Sequence, residues 1–312
     1  MRNRDRPSRC RRNPRADDAD VPSLLPLTLT AAFLFTACDA KQPWREAGWR
    51  PTSPPQRIVA ASVLATEVLL AIAPRERIAG VHVLAADPRY SLVVDAAKGL
   101  PAVGAEPEQL LAVRPDLVIC DAFTRPETLA LLSAADVPVV VTGNPGSFDD
   151  IAANLRHIGR LCHLEPAAEQ LVAVMQERLR ALQVRAPEVA AWRVMNLDGG
   201  LHTYGKGSLF AALVAAAGAR CEAVERGVGP FRKLDVEALL GWQPDALVVS
   251  ASEAEGAELP AWIRQHPVIP MLPCVEARRV VRAPGALFNT TSHRLVEAAE
   301  FLQRELLQWG KP

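Results

Sequence analysis

One short segment is written twice in this chain. Glu108-Gln-Leu-Leu-Ala-Val-Arg-Pro115-Asp116 runs into Leu-Val-Ile, and Glu237-Ala-Leu-Leu-Gly-Trp-Gln-Pro244-Asp245 runs into Ala-Leu-Val-Val. Both copies keep Glu, Leu-Leu and Pro-Asp at the same spacing. Each predicts a short helix stopped before proline and feeding a buried β-branched strand. Two copies this far apart point to two similar α/β lobes rather than a solenoid of short repeats. A chain so constrained holds whatever it binds between the lobes.

The 312 residues leave room for two cores, and equal numbers of basic and acidic side chains, 35 of each, give no basic surface that would call for nucleic acid. The N-terminus differs from the rest. Seven arginines between Arg2 and Arg15 precede an uncharged apolar run from Val21 to Ala37. That run contains Pro22 and Pro26 and is too short to span a bilayer, so it reads as a secretory signal. Leu34-Phe35-Thr36-Ala37-Cys38 resembles the bacterial lipobox, in which the cysteine is lipidated and becomes the new N-terminus. Asp39 resembles the signal that retains a lipoprotein in the inner membrane. Removing residues 1–37 takes away seven Arg and four Asp and leaves 28 basic and 31 acidic side chains. The proline-rich stretch that follows, with Trp44 and Trp49, reads as a tether. The expected organisation is a signal over 1–37, a tether over 38–55, an N-terminal lobe over 56–164, a connecting helix over 165–186 and a C-terminal lobe over 187–312.

Along the body, short apolar strands alternate with amphipathic helices, which argues for mostly parallel sheets covered on both faces. Arg57 to Ala61, Ile78 to His82, Leu117 to Cys120 and Val137 to Thr142 are the expected strands of the first lobe. Glu165 to Arg185 carries apolar residues at helical spacing and is expected to end at Ala186-Pro187. Arg193 to Leu197, Ala246 to Ser250 and Arg279 to Arg282 repeat the scheme. Ser208 opens a helix that ends at Gly218, and Ser292 is expected to cap the last one. Cys120, Cys162, Cys221 and Cys274 fall two to a lobe. In an oxidising compartment they allow Cys120–Cys162 and Cys221–Cys274 disulfides, or the second alone; the alternative is four buried free thiols.

These residues resemble a known family. Residues 55 to about 309 resemble the helical-backbone solute-binding proteins of ABC importers, the group that serves cobalamin, haem and ferric siderophores. The resemblance rests on Pro55-Gln-Arg-Ile-Val with Ser62 and Ala65-Thr66-Glu67, on Ala79-Gly80-Val81, and on Val103-Gly104 leading into the first written copy. In the second lobe Gly205-Lys206-Gly207-Ser208-Leu, the second copy, and Leu287-Phe288-Asn289 with Arg294-Leu295-Val-Glu-Ala continue it. It implies a fold of two Rossmann-like lobes joined by one long helix, with the ligand in the cleft between them and only modest closure. It implies that a monomer delivers its cargo to a permease dimer with its ATPase, docking through one glutamate per lobe, Glu108 and Glu237. The competing reading of both is that a carboxylate in a first helical turn merely favours the helix dipole.

Ligands of parallel sheets bind at loops beyond the strand C-termini. This selects Ser62, His82, Arg89, Tyr90 and Phe123 in the first lobe, and His202, Tyr204, Phe231, Arg232 and Asn289 in the second. The chain has only two tyrosines, Tyr90 and Tyr204, and both fall in these loops. Tyrosinate and imidazole can ligate haem iron, and Arg89 or Arg232 can pair with carboxylates of haem or an anionic siderophore. A metal-ion receptor for zinc or manganese, and an exported α/β enzyme, are the alternatives. The near-P-loop Gly200-Leu-His-Thr-Tyr-Gly205-Lys206 has Gly207 where magnesium needs Ser or Thr, which disfavours a nucleotide.

Overall fold

The computed structural model of the chain describes residues 51–251 and 258–312. The signal segment, Cys38 and most of the tether lie outside the described residues. The folded body begins earlier than the expected boundary at 56. The carbonyl oxygen of Pro51 is bonded by His163 Nε2 at 2.8 Å, and that of Pro55 accepts from Arg77 Nε at 2.7 Å.

The first lobe is built on β1 (Ile58–Ala60), β2 (Ile78–His82), β3 (Ala102–Val103), β4 (Leu117–Cys120) and β5 (Val139–Val141). They lie in the order β3-β2-β1-β4-β5, all parallel. Short helices α1 (Val63–Ile72), α2 (Val94–Ala97), α3 (Pro107–Ala112), α4 (Pro126–Ala134) and α5 (Phe148–Cys162) connect them. Strand residues alternate between two buried faces. Ile58, Ala60, Leu117 and Ile119 join the central core with α1 and α5, while Val59, Val118, Cys120 and Val139 pack with Leu110 and Leu132 of α3 and α4.

The connecting helix α6 runs from Glu165 to Val189, 25 residues or about 37 Å, and does not stop at Pro187 as expected. Pro187 forfeits one helical hydrogen bond and crowds the carbonyl four residues back, a cost offset by packing at this end. Packing holds the last turn: Val189 is fully buried, and a Cβ on Gly218 would come within 2.5 Å of Ala186 Cβ. Buried Gln303 also donates to the carbonyls of Leu182 and Ala217 at 2.8 and 2.9 Å.

The second lobe has β6 (Arg193–Asn196), β8 (Arg220–Cys221), β10 (Ala246–Ala251) and β11 (Val280–Pro284) in the parallel order β11-β10-β6-β8. A separate antiparallel ribbon pairs β7 (His202–Thr203) with β9 (Arg232–Lys233). Helices α7 (Leu209–Ala216), α8 (Glu222–Glu225), α9 (Val236–Trp242), α10 (Ala261–Gln265), α11 (Pro273–Glu276), α12 (Gly285–Asn289) and α13 (Leu295–Trp309) complete it. Ser208 caps α7 as expected, accepting from the Ala211 amide at 3.2 Å. Arg294 holds the N-cap position of α13, and Ser292 caps the entry from two residues ahead: its hydroxyl oxygen accepts the Arg294 amide at 3.2 Å while its hydrogen goes to Glu67 in the first lobe.

The twice-written segment does the same work in both lobes. Asp116 accepts the backbone N–H groups of Gln56 and Arg57 at 2.6 and 2.9 Å, just ahead of β1. Asp245 accepts the Arg193 amide at 2.9 Å at the start of β6, and its carboxylate also pairs with the Arg193 guanidinium. Arg57 and Arg193 each donate back to the carbonyl of a left-handed residue that ends the preceding helix, Arg114 and Gln243. The Pro-Asp pair therefore locks helix end to first strand in each lobe.

All four cysteines of the body are buried and free, so neither expected disulfide is formed. Cys120 and Cys162 belong to cores on opposite faces of the first sheet, which keeps them apart. Cys221 instead directs its thiol to the Tyr204 carbonyl at 3.7 Å.

Candidate functional site

Each sheet is wound outward in both directions from its middle, so each has a point where strand order reverses. In the first lobe this lies between β1 and β4, in the second between β6 and β10. Loops beyond the strand C-termini at such points leave a crevice for ligand. The two crevices face each other across close backbone contacts. A Cβ on Gly146, past β5, would lie 2.5 Å from the Gly207 carbonyl of the second lobe. A Cβ on Gly285, past β11, would lie 3.0 Å from the Arg89 carbonyl of the first. Glycine at these two positions lets the lobes approach.

The floor of the first-lobe side is more structural than the sequence suggested. Ser62 is buried, and its hydroxyl accepts from the Ala65 amide as the cap of α1. His82 accepts the Leu84 amide on Nδ1 at 3.3 Å and so caps the turn that follows, which places its proton on Nε2. Burial pushes its pKa down, and the Asp121 carboxylate opposes that in part. Asp121 itself accepts from the Phe123 amide at 3.0 Å and leaves the Phe123 ring 77 % exposed. Arg89 is already engaged, holding both oxygens of Asp87 and keeping that carboxyl below the usual range. Its guanidinium lies 5.5 Å from the centre of the exposed Tyr90 ring, so a ligand carboxylate would compete with Asp87 for it.

The second-lobe side is a small aromatic platform. His202 stacks on Phe231 with centroids 4.9 Å apart and planes 23° from parallel, and Tyr204 tilts against the same ring at 5.9 Å. The ribbon that carries them is fastened to the sheet by Asn196, whose side-chain oxygen accepts from Thr203 Oγ1 at 3.2 Å and the Tyr204 amide at 2.9 Å. Asp198 fixes the imidazole. Both its oxygens lie 3.1 Å from His202 Nδ1, and Oδ1 also accepts the amides of Gly200 and His202. A carboxylate there selects the tautomer protonated on Nδ1 and leaves the Nε2 lone pair outward. Nε2 has no hydrogen-bond partner among the described residues. Gly200 is needed for this arrangement, because a Cβ there would meet the His202 ring at 2.6 Å. Arg232 and Asn289 are exposed beside the platform and at the end of α12 respectively.

Of the expected residues, Arg89 and Tyr90 touch on one lobe and His202, Tyr204 and Phe231 on the other, while Ser62, His82, Phe123, Arg232 and Asn289 join neither group. Sequence reasoning missed Asp198 and Asn196. The only trace of Asp198 was an acid four positions before a histidine across two glycines. The P-loop-like segment forms no phosphate cradle of its own; Gly205 is wedged against the carbonyls of Val228 and Gly229, and Ser208 is spent on the α7 cap. Among the described residues no group of three or more His, Cys, Asp or Glu is placed to hold a metal ion.

Glu108 and Glu237 occupy the same position in α3 and α9, in the first turn, and both are exposed. A few residues separate each helix from the strand it feeds, so each helix runs back along its sheet. Its N-terminus then lies level with the strand C-termini, on the rim of its lobe.

Comparison with known proteins agrees with this architecture. A family model described as periplasmic binding protein matches residues 58–287. An uncharacterized ABC transporter substrate-binding lipoprotein of Bacillus subtilis, YvrC, is 22% identical over 261 residues, 81% of this chain and 80% of that protein. A cobalamin-binding protein of Halobacterium salinarum is 25% identical over 209 residues, 64% of this chain and 55% of its own length. Among solved structures, the apo periplasmic heme-binding protein RhuT from Roseiflexus sp. RS-1 superposes with a TM-score of 0.71 at 25% identity, covering 81% of this chain and 98% of that one. The chain belongs to the periplasmic binding protein family.

Proposed function

We propose that this member of the periplasmic binding protein family is the exported receptor of an ABC importer, anchored through Cys38, that captures a metal chelate between its lobes and delivers it to a permease. Haem, cobalamin and ferric siderophores are the cargo classes, in keeping with the relatives that bind heme and cobalamin. No reaction on the cargo is involved. The observation that carries the reading is the His202 platform: an imidazole oriented by Asp198, stacked on Phe231 and flanked by Tyr204. Flat aromatic rings suit the face of a macrocycle, and an unpartnered Nε2 suits a metal with an open axial position. Among the three classes this favours haem or a corrinoid over a siderophore whose oxygens already fill the coordination sphere of iron.

Capture is followed by slight closure and by docking through Glu108 and Glu237, one carboxylate per lobe on the rim. Two separated charges orient the receptor on a two-fold permease and steer the encounter. Titration of the mature protein with haemin, cyanocobalamin and a ferric hydroxamate, read by absorbance and tryptophan quenching, tests the proposal. Binding of haemin or cobalamin with a shifted visible spectrum is expected. Tight binding of free zinc with no response to any chelate would overturn it.

A further inference from the structure

The two lobes are joined by more than their connecting helix. Glu67, on α1 of the first lobe, is 1 % exposed, and its carboxylate is shared between lobes. Oε2 accepts from Thr290 Oγ1 at 2.7 Å and from Ser292 Oγ, both on the segment that enters α13 of the second lobe. Thr290 and Ser292 are themselves 2 % and 1 % exposed, so water does not compete for these bonds. The other oxygen, Oε1, accepts the Leu92 amide at 3.4 Å. A buried carboxylate with several donors is far stronger as a tie than a surface pair, because removing any partner leaves charge or dipole unsatisfied in a dry setting.

The tie is placed where it can govern the cleft. The same helix starts at Ser62, beyond β1, and its Thr66 hydroxyl accepts the His82 amide at 3.2 Å, so α1 carries the floor of the first-lobe side. Leu92 closes the loop that bears Arg89 and Tyr90. That loop is held at its far end by Glu67 and in its middle by the close approach of the Arg89 carbonyl to Gly285. Beside it lies an open depression of about 450 Å³ lined by Pro88, Ser91, Leu92, Asp95 and Arg294.

We infer that Glu67 is a lobe-to-lobe pin. It sets the width of the cleft and holds the Asp87–Tyr90 loop in its presenting position, so that cargo enters a largely preformed gap and drives no more than slight closure. The inference concerns the protein's own junction and stands whatever the cargo is.

Glu67→Met keeps the volume and removes the carboxylate, and the Thr290 and Ser292 hydroxyls, 3.1 Å apart, can then pair with each other. The readouts are amide hydrogen exchange and small-angle scattering of the unliganded protein. The informative amides are Tyr90 and Ser91, which bond to the Asp87 carbonyl and not to Glu67, so they report the loop and not the deleted contact. Exchange there is expected to rise tenfold or more, with a larger radius of gyration, while Val118 and Val248 in the two sheets stay unchanged. Exchange at Tyr90 and Ser91 within twofold of the parent, with unchanged scattering, would overturn the pin. If Val118 and Val248 also accelerate in Glu67→Met, the decision passes to Glu67→Gln, which keeps shape and one acceptor oxygen, by the same two criteria.

Discussion

Asp198 grips His202 from one side only, with both carboxylate oxygens 3.1 Å from Nδ1, so the opposite nitrogen is left without a partner among the described residues. Orienting carboxylates of this kind are worth ten- to a hundredfold in metal affinity. Asp198→Asn, which keeps the shape but loses the charge, is expected to weaken haemin binding about tenfold or more. Gly200→Ala, which pushes a methyl into the ring, is expected to do the same with the carboxylate intact. Soret titrations of the two variants, with circular dichroism to show that each is folded, check this; unchanged affinity in both would remove His202 from the site.

The proposed docking is separable from capture. Glu108 and Glu237 are exposed and make no hydrogen bond or ion pair among the described residues, so replacing both with Ala should change stability by no more than about 0.5 kcal/mol each. Uptake by whole cells is expected to be lost while chelate affinity stays the same. Weakened chelate binding would refute the docking role.

The twin strand anchors make a stability prediction. Asp116→Ala and Asp245→Ala each strip charge-assisted bonds from the start of a central strand, at about 2 kcal/mol each. The two sites sit in different lobes, so the double variant should lose close to the sum in chemical denaturation.

His293 gives a pH dependence. Burial, with Arg294 and Arg178 adding positive potential, pushes its pKa down to about 4, and Nδ1 has no partner. Glu297 and Glu300 pair with Arg178 nearby. A histidine with a depressed folded pKa binds fewer protons folded than unfolded between about 4 and 6.5, so stability falls as pH drops through that window. The fall is on the order of 3 kcal/mol and levels off below pH 4. Denaturation midpoints of the parent and of His293→Gln across pH 4–7 check it, the variant being the flatter.

The buried thiols predict inertness. Burial pushes Cys120 and Cys162 up to about 12 and Cys274 to about 11, so no thiolate is present at neutral pH. The native body should resist alkylation at these positions, and reductant should leave its melting temperature unchanged. A drop on reduction would establish a disulfide after all.

Much of this was legible in the sequence because it is periodic or repeated. The alternation of apolar strands and helices announced two parallel sheets, and the double Pro-Asp marked where each central strand is reached. The position of the aromatic loop residues beyond strand ends is legible in the same way. What stayed hidden depends on contacts distant in sequence. Glu67 looks like any polar residue of a helix until Thr290 and Ser292 arrive from the far lobe. The ribbon holding His202 has two-residue strands, too short for any alternation to show. The helix passes Pro187 only because Gly218 and Gln303 hold its end. Cysteine count suggested bridges, but which side of a sheet each thiol faces is decided by register.

The paired clamps at Asp116 and Asp245 also divide the labour of each lobe by geography. They fasten the incoming ends of the central strands, while the proposed cargo-binding residues hang from the outgoing ends. Chemistry at one end can therefore be rewritten without loosening the other. Such a body is a standard mount with interchangeable fittings, and a change of diet for the cell requires new loops rather than a new protein.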